Sequence, residues 1–160
     1  MTGATLNRGA SRQDYETPPE FIQAVERRFG RLVCDLAATD KNTKAQIWYG
    51  DDSRTRTTMD SLTVEWHLQP GVLWLNPPYS DIAPWAAKCH KESQLGAKIL
   101  LLTPASVGSN WFLNHVFDKA RVLFLNGRLT FVGASDPYPK DCMLSCFGFE
   151  KPGFEIWRWK

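Results

Sequence analysis

The stretch Val72-Leu73-Trp74-Leu75-Asn76-Pro77-Pro78-Tyr79 decides the fold, because an apolar run leads directly into a rigid polar turn. Four consecutive apolar residues are typical of a central strand that is covered on both faces, as in parallel sheets. Asn76 and Pro77 are held extended, since a residue before proline avoids helical backbone angles. The sequence therefore predicts a buried strand with a polar site at its carboxyl end.

Upstream of this stretch the pattern predicts one helix and one strand. The helix begins at Thr17-Pro18-Pro19-Glu20, with Thr17 as its cap and Glu20 reaching back, and it ends at Gly30. The strand covers residues 32–36 and brings Asp35 to its carboxyl end. Residues 39–61 show no clear period, so we expect a loop with one short element there.

Downstream, helices and strands continue to alternate, and the chain is expected to finish in antiparallel strands. The predicted elements are a helix capped by Ser80 or Asp81, a strand at 98–103, a helix from Ser109, a hairpin of 122–125 and 129–132 around Asn126-Gly127, and strands at 142–149 and 154–159. This order predicts an α/β protein with three layers, a mostly parallel Rossmann-like sheet and antiparallel strands at the C-terminal end. Ligands of such sheets bind outside the carboxyl ends of the strands, where Asp35 and Asn76 both fall.

Length and composition favour one globular domain. The chain has 160 residues, close to the prior of about 150 per domain, and we expect a flexible arm at 1–14 and a single domain at 15–160. Nineteen basic minus 17 acidic residues give a net charge of +2, too small to indicate polyanion binding by itself. The sequence has no apolar run near the roughly 20 residues that span a bilayer and no hydrophobic signal stretch. We therefore expect a cytoplasmic protein with no membrane partner.

The four cysteines predict free thiols and no metal site. None of Cys34, Cys89, Cys142 and Cys146 belongs to a Cys-x-x-Cys pair. Cys142 and Cys146 are expected about 13 Å apart along one strand, at about 3.3 Å per residue. That separation is too large for two ligands of one zinc ion. Buried thiols of this kind are typical of a reducing cytoplasm.

The turn Asn76-Pro77-Pro78-Tyr79 has the features of a receptor for a planar amino group. Proline has no backbone N–H, so the carbonyl groups at this strand end act only as acceptors. The Asn76 amide oxygen and the Pro77 carbonyl can converge on one amine, and Tyr79 offers a flat stacking face. The sequence thus predicts a site for an aromatic primary amine, such as the exocyclic nitrogen of adenine.

The reaction that needs such a receptor is methyl transfer. An exocyclic amino nitrogen is a poor nucleophile because its lone pair is delocalised into the ring. Accepting both of its hydrogens favours a tetrahedral nitrogen and frees the lone pair for attack on a sulfonium donor. This chemistry requires neither a metal nor a strong base, in agreement with the scattered positions of His67, His90 and His115.

Several segments, in their order along the chain, resemble the phage-type DNA N6-adenine methyltransferases over roughly residues 15–149. These segments are Thr17-Pro18-Pro19-Glu20, Asp35-Leu36-Ala37-Ala38, Asn76-Pro77-Pro78-Tyr79, Leu101-Leu102-Thr103-Pro104-Ala105, Trp111-Phe112 and Gly127-Arg128-Leu129-Thr130-Phe131. The resemblance implies a Rossmann-like methyltransferase fold, S-adenosylmethionine as cofactor and DNA as partner. If the chain is encoded by a phage, its cytoplasm is that of a bacterial host.

The resemblance also implies roles for individual residues. The residues implied to hold the target amine are Asn76, Pro77, Pro78 and Tyr79. The residues implied to lie at the cofactor are Thr17, Pro18, Asp35, Ala37 and Asp60, the last near its adenosine. Phe131 is implied to stack on the flipped base. Separately, Arg54, Arg56 and Arg128 are candidates for contacts with DNA phosphates.

One departure from the resembled family leaves alternatives open. The usual glycine-rich turn is absent, and Asp35-Leu36-Ala37-Ala38-Thr39 stands in its place, although the small Ala37 and Ala38 still permit close approach of a ligand. An amino-methyltransferase acting on protein glutamine or another nucleobase would use the same receptor. A non-catalytic nucleic-acid-binding domain could keep the fold without the reaction. Sequence readout on DNA would come from loops 39–61 and 105–110, or from a homodimer.

Overall fold

The computed structural model describes residues 15–160, which build a mixed sheet of eight strands with helices on both faces. The predicted arm at 1–14 lies outside the described residues. The helices are α1 (Pro19–Phe29), α2 (Ala83–Gln94) and α3 (Asn110–His115). The strands are β1 (Leu32–Thr39), β2 (Ile47–Asp52), β3 (Thr57–Thr58), β4 (Val72–Leu75), β5 (Lys98–Pro104), β6 (Arg121–Asn126), β7 (Cys142–Phe147) and β8 (Gly153–Arg158).

The order of the strands in the sheet is β3-β2-β1-β4-β5-β7-β6-β8. Strands β2, β1, β4 and β5 run parallel to one another. Strand β7 is antiparallel to both β5 and β6, and β8 runs parallel to β6. The predicted α/β class with a mostly parallel sheet and antiparallel pairing towards the C-terminus is confirmed.

Two apolar clusters lie on the opposite faces of the sheet and account for the three layers. On one face α2 and α3 pack through Ala86, Cys89 and Phe112. On the other, α1 packs through Phe21 and Val25. Successive residues of β4 and β5 alternate between the two clusters, as side chains of a strand do. Over residues 15–160, no helix is both long and apolar enough to cross a membrane.

The start of α1 differs from the prediction in its cap. The N-cap residue is Pro18 and no side chain caps the helix, so the predicted caps by Thr17 and Glu20 are wrong. The Thr17 hydroxyl instead accepts a hydrogen bond from the side chain of Asn76. Gly30 ends the helix as predicted, with a φ of +96°.

The segment between Asp35 and residue 61 is more regular than predicted. Strand β1 continues to Thr39, so Asp35 lies inside the strand and not at its end. Residues 39–61, expected to hold one short element, contain both β2 and β3. Only Tyr49 of β2 is buried, which explains why the strand has no clear apolar period.

Two further local predictions are wrong because tertiary contacts decide them. Helix α2 has Ile82 as its N-cap, without a side-chain cap from Ser80 or Asp81. The hairpin at Asn126-Gly127 does not form, because β6 already pairs with β7 on one side and β8 on the other. No edge of β6 is therefore free to pair with residues 129–132, and Leu129 packs into the apolar cluster on the α1 face.

Candidate active site

A cavity of about 460 Å³ lies at the carboxyl ends of β1, β2 and β4. This volume falls within the roughly 300–1,000 Å³ of sites for small molecules. Residues 35–39 of β1 and 49–51 of β2 form one wall, and Asn76 and Pro78 lie beyond the end of β4. The cavity is therefore in the place where an open α/β sheet binds its ligands.

Acidic side chains dominate the charge of this cavity. Its lining includes Glu16, Asp35, Asp51 and Asp60, and among the described residues Lys44 is the one basic residue in the lining. The Lys44 Nζ atom forms an ion pair with Glu16 at 2.8 Å. The remaining carboxylates favour a ligand that carries positive charge, and they disfavour a phosphate.

Asp35 is the most deeply buried of these carboxylates, with 2% of its surface exposed. Its two oxygens accept backbone N–H bonds from Lys44 at 2.9 Å and Ala37 at 3.3 Å. Burial nevertheless raises the pKa of the Asp35 carboxyl to about 6, because a desolvated carboxylate is costly. A cationic group beside Asp35 would reverse this effect.

Gly50 allows β1 and β2 to approach closely at the cavity wall. A Cβ atom at this position would overlap the carbonyl oxygen of Ala38, its partner across the two strands. Its φ of +138° is also a conformation that favours glycine. Gly50 is therefore required by the close packing of the two strands that form this wall.

The side chain of Asn76 has a fixed orientation. Its Nδ2 donates to the backbone carbonyl of Tyr15 at 2.6 Å and to the Thr17 hydroxyl at 3.0 Å. A backbone carbonyl only accepts, so the amide nitrogen and not the oxygen must face Tyr15. Oδ1 is buried, and none of the residues that the structure describes donates to it. It is an acceptor without a partner, which is rare for a buried polar atom.

Tyr79 belongs to a group of four aromatic rings beside Asn76. Its ring stacks on Tyr15 with the centroids 5.3 Å apart, and it lies 6.4 Å from Phe131 and 6.2 Å from Tyr138. Burial raises the pKa of the Tyr79 hydroxyl well above its ordinary value. The structure thus brings Phe131 next to Tyr79, with the two ring planes 67° apart, and Tyr15 packs against the face of Tyr79.

The other residues predicted at the cofactor lie at or next to the cavity. Thr17 and Ala37 line it, and Pro18, which does not, caps α1 immediately after Thr17. Asp60 also lines the cavity, and its Oδ1 accepts from the backbone N–H of Leu62 at 3.0 Å. Of the turn predicted to hold the amine, Asn76 and Pro78 line the cavity, whereas Tyr79 and the buried Pro77 do not.

The three candidate arginines lie outside this cavity. The guanidinium group of Arg54 donates two hydrogen bonds to Asp52, and Arg128 pairs with Asp141 at 3.2 Å. Arg56 lines a separate shallow depression next to acidic residues. Over the described range 15–160, no cluster of three or more histidines, cysteines or carboxylates could hold a metal ion. All four cysteines are free and buried.

Comparison with known families identifies the family to which the chain belongs. The profile of the DNA N-6-adenine-methyltransferase (Dam) family matches residues 5–146. The chain belongs to this family. Two similar relatives are the DNA N-6-adenine-methyltransferases of Escherichia phage T1 and of Haemophilus phage HP1.

Both relatives are 26% identical to the chain over 121 residues. The alignment covers 76% of this chain and 48% of the phage T1 protein, and 74% of this chain and 65% of the phage HP1 protein. The chain thus spans about half to two thirds of the length of these relatives. The resemblance seen in the sequence is confirmed at the level of the family.

Several cavity residues of this Dam family member escape sequence reasoning. They are Tyr15, Glu16, Lys44, Gly50 and Asp51. The run Ile47-Trp48-Tyr49 before Gly50 has strand propensity and is the one local signal that points to β2. Tyr15, Glu16 and Lys44 give no local signal, because the contacts that bring them to the cavity join distant parts of the chain.

Proposed function

We propose that this chain is an S-adenosylmethionine-dependent DNA methyltransferase that acts on the exocyclic N6 amine of adenine. The observation that carries the proposal is the buried Oδ1 of Asn76, which has no hydrogen-bond partner among residues 15–160. Two acceptors hold the Asn76 amide nitrogen, so its oxygen is left to accept from a ligand. A buried acceptor without a partner at the edge of a cavity indicates a binding site for a donor such as an amine.

The acidic cavity fits the proposed cofactor. S-adenosylmethionine, when bound, supplies a methyl group on a positively charged sulfonium, and it also carries an ammonium group. The carboxylates of Asp35 and Asp60 would hold such a cation, and the small Ala37 leaves room beside them. Pro18, the N-cap of α1, borders the proposed cofactor side, and the buried hydroxyl of Thr17 before it accepts from Asn76.

The amine would be held by the turn after β4. Asn76 Oδ1 and the Pro77 carbonyl accept its two hydrogens, and Pro78 keeps the turn rigid. These acceptors would localise the lone pair on the nitrogen and aim it at the methyl carbon of the donor, whose carbon–sulfur bond would break to leave a neutral thioether. The nitrogen would then be cationic and would lose one of the protons held by the two acceptors. Tyr79 and Phe131 stack on the base, which must leave the duplex to reach this site. We infer that the ring of Tyr15 then gives up its place against Tyr79.

Nucleoside mass spectrometry tests the proposal directly. The purified chain is incubated with labelled S-adenosylmethionine and unmethylated DNA, and the digested nucleosides are analysed for N6-methyl-deoxyadenosine. A protein substrate is run in parallel. Label in N6-methyl-deoxyadenosine is the expected result. Label in protein or in another base would favour a different planar amine, and lack of cofactor binding at millimolar concentration would favour a non-catalytic binding domain.

Asn76→Ala tests the residue at the centre of the proposal. Losing a charge-stabilising acceptor in a site shielded from water typically costs about 3 kcal/mol, or roughly a hundredfold in rate. We expect transfer to fall by at least this factor while cofactor affinity and folding change little. Asn114→Ala, an exposed position on α3, is the matched control. Near-normal turnover of Asn76→Ala would contradict the assigned role.

The partners and location follow from the same proposal. DNA is the proposed macromolecular substrate, with Arg54, Arg56 and Arg128 as candidates for phosphate contacts. Arg54 and Arg128 would first have to leave their partners Asp52 and Asp141. The phage origin of the relatives favours action in the cytoplasm of a bacterial host. A homodimer stays a prediction, and light scattering of the purified chain with and without DNA measures it.

A further inference from the structure

We propose that Thr17 is a positioning residue that holds the amide of Asn76 in the orientation needed to receive the amine. The inference rests on the proposed function, since it assigns a task to Asn76. Thr17 and Asn76 lie 59 residues apart in the chain and are joined by one hydrogen bond of 3.0 Å. This bond connects the start of α1 to the end of β4.

The geometry gives each hydrogen of the Asn76 amide its own acceptor. The Tyr15 carbonyl takes one at 2.6 Å and thereby decides which end of the amide faces inward. The Thr17 hydroxyl takes the other and fixes the tilt of the amide plane. With both hydrogens held, Oδ1 points in a single direction without help from a ligand. Preorganised acceptors of this kind contribute to catalysis because they need no reorientation during the reaction.

The burial of Thr17 favours this task over a direct contact with the cofactor. Its exposed fraction is 1%, so it offers little surface to a ligand although it lies in the cavity wall. The two roles predict different kinetics. Loss of a cofactor contact raises the KM for S-adenosylmethionine, whereas loss of an orientation needed in the transition state lowers kcat.

Thr17→Val and Thr17→Ser form the test pair. Valine keeps the shape and removes the acceptor, and serine keeps the acceptor. At saturating cofactor and DNA we expect kcat of Thr17→Val to fall about tenfold, equal to about 1.4 kcal/mol, with the KM for S-adenosylmethionine nearly unchanged. Thr17→Ser should restore most of the rate.

A second readout does not depend on activity. In spectra of ¹⁵N-labelled protein, the two side-chain NH₂ protons of Asn76, assigned with Asn76→Ala, report how firmly the amide is held. We expect slow exchange with solvent in the wild-type chain and in Thr17→Ser, and faster exchange in Thr17→Val. If the wild-type chain methylates no DNA, the proposed function fails, and this measurement still decides whether Thr17 holds the amide.

Thr103→Val is the control for the substitution itself. Thr103 is fully buried at the end of β5, and its hydroxyl has no hydrogen-bond partner among the described residues. We expect its replacement to leave both kcat and the Asn76 signals as they are. An equal loss in Thr103→Val, or a Thr17→Val variant with unchanged amide exchange and only a raised KM, would overturn the proposed positioning role.

Discussion

We expect the buried carboxyl of Asp35 to make binding of the proposed cofactor dependent on pH. With a pKa of about 6, this group is about one-tenth ionised at pH 5 and about nine-tenths ionised at pH 7. If Asp35 faces a cationic group of the cofactor, only its ionised form binds well. We therefore expect the affinity for S-adenosylmethionine to rise about tenfold from pH 5 to pH 7.

The sign of this effect is opposite for the stability of the protein without cofactor. The pKa of Asp35 is higher in the folded chain than its ordinary value of 3.8, so the folded state keeps the proton longer. The contribution of Asp35 to the free energy of unfolding is therefore full below about pH 4 and is lost as the pH rises through about 6. The affinity for S-adenosylmethionine should therefore rise over the same pH range in which the contribution of Asp35 to the free energy of unfolding falls.

Isothermal titration calorimetry measures both parts of the prediction. Binding at pH 6 should release a fraction of a proton, which appears as a dependence of the observed heat on the ionisation enthalpy of the buffer. Asp35→Asn cannot titrate, so its affinity should be lower at pH 7 and nearly constant from pH 5 to 7. The reasoning is refuted if the wild-type affinity does not change with pH, or if Asp35→Asn shows the same pH dependence.

Two substitutions test the packing around the site. Gly50→Ala should lower the free energy of unfolding by at least about 2 kcal/mol, because the φ of +138° is strained for alanine and the new Cβ meets the backbone of Ala38. Urea denaturation measures this loss. Gly108→Ala is the control and should be neutral, because the space around Gly108 is open. Glu92→Ala should cost about 3 kcal/mol, because it leaves Lys88 and the backbone N–H of His67 without their buried partner. At temperatures well below unfolding its methyl-transfer kinetics should match wild type, and a specific loss of kcat would contradict a purely structural role.

Sequence reasoning predicts those features of the site that depend only on neighbouring residues in the chain. A run of four apolar residues predicts the buried strand β4, and the prolines after it fix the backbone of the turn. The position of Asn76 at the carboxyl edge of the sheet follows from these two facts alone. The structure places it at the cavity, together with Pro78.

The missed features depend on contacts between distant residues. Strand β2 buries only Tyr49 fully, so no apolar period marks it, and its pairing with β1 and β3 defines it. The Asn126-Gly127 pair is a good local turn signal, but both edges of β6 are already occupied. In each case the local preference is weaker than the hydrogen bonds that the sheet as a whole can make.

The residues just before α1 connect the two halves of the proposed reaction site. Tyr15 and Thr17 hold the amide of Asn76, and Glu16 between them pairs with Lys44, whose backbone N–H binds Asp35. The amine side and the acidic side of the cavity are therefore joined through three consecutive residues. A movement of this segment, such as the displacement of the Tyr15 ring by a base, would change the hydrogen bonds around Asp35 as well as those of Asn76. The affinities for base and cofactor should accordingly depend on each other, and by linkage the effect of each on the other must be equal.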